Sequence, residues 1–87
     1  MITRLQVRMA RTALGWGVRD LARQAGVSPT TVSRFEHGAH TRVDTVALFQ
    51  DVLERAGIVF VPSDEEAGPG VRLREPRRQL RAAETHE

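Results

Sequence analysis

Apolar positions recur along this chain with a period near 3.6 as far as residue 56 and near 2 beyond it. That change predicts a helical first part with a short β element behind it. Between Val18 and Ala25, the residues Val18, Leu21, Ala22 and Ala25 fall on one side of a helical wheel, and Arg19, Asp20, Arg23 and Gln24 on the other. The spacing predicts a helix with one buried face. Gly26 can adopt the left-handed conformation that ends a helix sharply, and Val27 is placed to plug the turn. Ser28-Pro29 then offers a capping hydroxyl followed by proline at the first helical position. In the helix that follows, Val32 and Phe35 should point inward, with Pro29, Thr30, Ser33 and Arg34 on the opposite face.

The flanking segments extend this pattern. Thr3 is placed to cap a first helix running to about Leu14, with Gly15 as its stop. Ile2, Leu5, Met9 and Ala13 make one apolar arc of it and Val7, Ala10 and Leu14 a second, which predicts packing on two sides. The leftover stripe of Arg4, Arg8 and Arg11 suits a phosphate backbone or a plain solvated face. Trp16 is expected as a lid over a small core. Gly38 should stop the helix that starts after Ser28, and Thr41, with Asp44 three residues on, reads as the cap of another from about Arg42 to Ala56. Its buried face would hold Val46, Phe49, Val52, Leu53 and Ala56.

After Gly57, the run Ile58-Val59-Phe60-Val61, an acidic loop from Pro62 to Gly70 and the alternating Val71-Arg72-Leu73-Arg74 predict a β-hairpin. Two strands alone bury too little to stand free. Ile58 and Phe60 should face inward with Val71 and Leu73, leaving Val59 and Val61 beside Arg72 and Arg74. Dimerisation is therefore expected through Ile58, Val59, Phe60, Val61, Val71 and Leu73, by a sheet edge or by the Val59/Val61 face; the alternative is a hairpin that only covers one subunit's helices. The chain divides as 1–56, 57–75 and a polar tail at 76–87.

Leu21-Ala22, Gly26-Val27-Ser28 and Glu36-His37-Gly38 together resemble the helix-turn-helix of the Cro and phage-repressor type, the xenobiotic-response-element family, over about residues 5–56. The resemblance implies a mainly α, lambda-repressor-like domain of four helices, here followed by a C-terminal β-hairpin. It also implies that the helix after Ser28 enters the major groove of double-stranded DNA with its N-terminal residues at the base edges. The DNA-facing residues then are Ser28, Pro29, Thr30, Thr31, Ser33 and Arg34, with His37, His40 and Arg42 toward the backbone. Arg34 suits guanine, whereas Thr30 and Ser33 accept several partners. The family usually carries serine or threonine followed by glutamine at the start of the preceding helix, where the glutamine meets a phosphate. This chain has Gly17-Val18 there and lacks that glutamine, while the backbone N–H groups at the helix start remain available to a phosphate.

Composition narrows the function. At 87 residues the chain fits one small domain, and with no cysteine it has neither disulfides nor thiolate metal ligands. No metal site or cofactor is expected. Charge is uneven, with seven arginines against Asp20 and Glu36 in residues 1–42 and six arginines against nine acids in 43–87. No apolar run approaches the ~20 residues of a membrane span, so a cytoplasmic location without membrane contact is expected. The leading expectation is a homodimeric, sequence-specific transcriptional repressor. The alternative is an antitoxin-like interaction protein that binds a toxin through the hairpin or tail and represses its own operon. An enzyme is not expected, since Ser33 and His37 lack the further groups a nucleophile needs.

Overall fold

The computed structural model describes residues 1–75; the expected tail at 76–87 lies outside them. The elements are α1 (Arg4–Leu14), α2 (Val18–Ala25), α3 (Pro29–Glu36), α4 (Val43–Arg55), β1 (Ile58–Val61) and β2 (Gly70–Leu73). Among the described residues the fold is mainly helical, four helices and a two-stranded antiparallel hairpin, as the periodicity predicts. α2 packs on α3 and α4, while α1 touches α3, α4 and β2.

The core forms where the apolar arcs meet. Val7, Ala10, Leu21, Val32, Phe49, Leu53 and Ile58 are fully buried, and the Phe35 ring tilts against Phe49 at a centroid distance of 5.5 Å. α1 departs from the expectation of two buried sides. Leu5 is 52% exposed and Ala13 is also at the surface, whereas the polar Gln6 is buried. Gln6 is buried through a double use of its side chain. Gln6 Oε1 accepts the Thr3 N–H at 2.9 Å while Thr3 Oγ1 accepts the Gln6 N–H at 3.1 Å, a reciprocal cap on the helix start. Gln6 Nε2 then donates to the carbonyls of Val61 at 3.0 Å and Gly70 at 2.9 Å, strapping α1 to the hairpin.

α4 begins one residue later than expected. Its N-cap is Arg42, because the Thr41 hydroxyl donates to the Ala39 carbonyl at 3.2 Å and Asp44 pairs with Arg42 instead of closing a cap with Thr41. The hairpin register pairs Ile58 with Leu73, Val59 with Arg72, Phe60 with Val71 and Val61 with Gly70. Ile58, Phe60, Val71 and Leu73 thus share the inner face and pack on the helices. Arg74 closes the far end: its N–H bonds the Gly57 carbonyl at 2.8 Å and its guanidinium the Glu54 carbonyl at 2.9 Å. No helix among the described residues is long and apolar enough to cross a membrane.

Candidate nucleic-acid interface

The presenting helix is set by its own start. Ser28 Oγ accepts the Thr31 N–H at 3.2 Å and lies 2.9 Å from Thr31 Oγ1, and Pro29 takes the first helical position with no N–H to satisfy. Before it, Gly26 has φ +71° and its N–H reaches back to the Arg23 carbonyl, while the Val27 N–H bonds that of Ala22. This positive φ folds α3 back across α2, and a side chain at position 26 would be strained there.

The two sides of α3 differ sharply. Val32 and Glu36 are buried, while Ser28, Pro29, Thr30 and Arg34 are exposed and Thr31 and Ser33 half-buried. The sequence-predicted reading face is therefore a continuous outer surface. Arg34 makes no ion pair among the described residues, so its fork is available. The Thr31 hydroxyl lies within hydrogen-bond reach of Ser28, so both serve the helix start as well as its surface.

Toward the C-terminal end, His37 Nδ1 lies 2.7 Å from the Ser33 carbonyl oxygen. Its contact is to the backbone and not to the Ser33 hydroxyl. His40 and Arg42 are exposed. Arg42 meets Asp44 through two 3.1 Å bonds, which raises the guanidinium's pKa and lowers that of the carboxyl. A phosphate at Arg42 would have to share it with that acid.

At the start of α2, the Gly17 N–H donates to Asp20 Oδ2 at 2.7 Å and Arg23 Nη2 meets Asp20 Oδ1 at 2.7 Å. These two partners, the backbone donor first, hold the Asp20 carboxyl below its usual pKa. The Val18 and Arg19 N–H groups of the first turn have no intrahelical acceptor, and the Asp20 carboxylate lies at the same helix start.

Sequence reasoning missed the group that anchors α3. Arg11 Nε and Nη2 each donate at 2.7 Å to Glu36, and Arg11 Nη1 donates at 3.0 Å to the Trp16 carbonyl. Arg11 thereby leaves the exposed stripe, phosphate-facing or solvated, expected of it with Arg4 and Arg8. A signal was present: Arg11 follows Val7 by four residues and Glu36 follows Val32 by four, which places opposite charges on two buried arcs. The expected dimer residues also divide. Ile58 is wholly buried and Phe60, Val71 and Leu73 pack on the same chain's core, so the inner face is occupied within one subunit. Val59, 39% exposed, and the half-buried Val61 remain on the outer face.

A short helix, a glycine bend held by backbone bonds and a second helix with one locked and one open side define a helix-turn-helix. The chain belongs to the helix-turn-helix domain family, which matches residues 4–57. It is 38% identical over 48 residues, 55% of this chain, to a protein of Archaeoglobus fulgidus named as an HTH-type transcriptional regulatory protein. The match covers 16% of that protein's length.

Proposed function

We propose that the protein is a sequence-specific DNA-binding transcriptional regulator, a repressor that occupies a two-fold-symmetric operator as a homodimer. One observation carries this reading: the outer side of α3 is open from Pro29 to Arg34 while Val32 and Glu36 lock its inner side. An element held this rigidly and left uncovered suits insertion into a major groove. Arg34 forks onto a guanine, Thr30 and Ser33 adjust to neighbouring bases, and the first-turn N–H groups of α2, with His37, His40 and Arg42, meet phosphates. The helix-turn-helix family and the name of the A. fulgidus relative both support regulation through DNA.

Two copies joined through the Val59/Val61 face would set their recognition helices on successive grooves, about 34 Å apart. Selection of bound fragments from random duplexes tests the reading. A repeated, inverted motif is expected, with Arg34→Ala losing discrimination at one guanine and Arg42→Ala weakening all sequences alike. Recovery of no common sequence would contradict it.

A further inference from the structure

Residues 1–42 contain two acids, and both are paired within the chain: Glu36 by Arg11 in the interior, and Asp20 at the surface by the Gly17 N–H and Arg23. In the same stretch Arg4, Arg8, Arg19 and Arg34 form no ion pair among the described residues. Residues 43–75 have the opposite balance, with seven acids against three arginines. A polyanion is therefore drawn to the unpaired arginines of α1–α3 more than to the acid-rich segment that follows.

Arg4 stands apart among these cations because of where its guanidinium lies. Gly38, the second residue after α3, has φ +92°, and a Cβ built there would collide with Arg4 Nη1 and sit 3.3 Å from Arg4 Cζ. The first residue of α1 thus reaches across to the end of α3 and lies against Gly38. It borders an open recess shared with Ile2, Phe35, His37 and Ala39. The C-terminal end of a helix carries partial negative charge and by itself discourages a phosphate. Arg11 neutralises the one acid there, and Arg4 adds a cation whose planar fork matches a phosphate.

We propose that Arg4 is a DNA-backbone contact, holding a phosphate beside the C-terminal end of α3 while the start of that helix reads bases. This rests on the DNA-reading assignment above. The contact is sequence-independent, so it contributes affinity and register and not discrimination.

The test is the salt dependence of binding to the selected duplex and to an unrelated one, for the wild type, Arg4→Gln, Arg4→Lys and, as a distant control on α4, Arg55→Gln. One phosphate contact contributes about 0.9 to the slope of log K against log salt concentration. Arg4→Gln should lower that slope by about one and weaken both duplexes by the same factor. Arg4→Lys and Arg55→Gln should keep the wild-type slope, and all variants should melt like the wild type, since both side chains lie at the surface. A wild-type slope in Arg4→Gln overturns the proposal, as does a loss confined to the selected duplex. A wild type that binds no duplex instead overturns the DNA-reading assignment, and Arg4 with it.

Discussion

Arg11 grips Glu36 through two parallel 2.7 Å hydrogen bonds, and the pair fastens α3 to α1. Glu36 retains 4% of its side-chain exposure and Arg11 17%, so water does little to screen them. The hydrogen bond to Glu36 outweighs the opposing effect of burial and raises the Arg11 pKa above its ordinary value. The guanidinium therefore stays charged at any working pH. Its third bond, to Trp16, ties the connection before α2 into the same joint. The pose of α3 depends on this joint as well as on apolar packing.

Removing one partner strands the other. Arg11→Ala should destabilise the fold by about 3–5 kcal/mol, because Glu36 is left buried and unpaired, and Glu36→Ala by less, because Arg11 is only part-buried and keeps its bond to Trp16. The double change Arg11→Met/Glu36→Leu should recover most of that, since both desolvation costs vanish together. Denaturant titration of the three variants checks this. Single variants within about 0.5 kcal/mol of wild type, the range of ordinary surface changes, would show that the pair contributes little.

Gln6 both caps α1 and straps the hairpin, and two substitutions separate these roles. Gln6→Ala loses both and should cost about 1–3 kcal/mol. Gln6→Glu keeps an acceptor for the Thr3 N–H but turns a carboxylate oxygen toward the Val61 and Gly70 carbonyls. At neutral pH it should be at least as unstable as Gln6→Ala and should regain stability as acid protonates the carboxyl. Thermal melts between neutral and acidic pH decide the matter; a Gln6→Glu variant as stable as wild type at neutral pH would remove the strap from the account.

Asp20 gives a signed pH dependence. Its folded pKa is lowered by the Gly17 N–H first and by Arg23 second. The stability it contributes is present above its ordinary value of 3.8 and is lost as pH falls through the lower folded value. Carboxyl-carbon NMR should place its midpoint below 3.8, with Arg23→Ala moving it only part of the way back because the backbone donor remains. A midpoint at or above 3.8 would mean that Gly17 and Arg23 do not hold the carboxylate.

The outer hairpin face is the proposed seam between subunits. Val59→Asp places a charge on that face without touching the buried Ile58, and should shift the protein from dimer to monomer in sedimentation while leaving its helical content unchanged. An unshifted dimer would move the interface elsewhere on the chain.

Helix positions were legible because each has a strong period and a strong stop: Thr3 and Gly15 bound α1, and Gly26, Ser28 and Pro29 mark the bend. The hairpin and its inward residues followed from the change of period, and the register bears that out. Legibility failed where one polar side chain served two distant partners. Gln6 looks like surface on a wheel because the carbonyls that bury it lie 55 and 64 residues away. Thr41 resembled a cap, but its hydroxyl is used two residues back on Ala39. Exposure of the α3 face was readable from its own sequence. What anchors that face was hidden in a pairing between two helices, which local patterns signal only faintly.

The most direct test of the central claim, that the outer side of α3 lies in a DNA groove, is an amide NMR titration of the labelled protein with its selected duplex. The largest shifts should fall on Thr30, Thr31, Ser33 and Arg34, with smaller ones at Val18, Arg19 and the turn after α3, and few in β1 and β2. Shifts concentrated on α4 or the hairpin, with residues 29–34 unmoved, would contradict it.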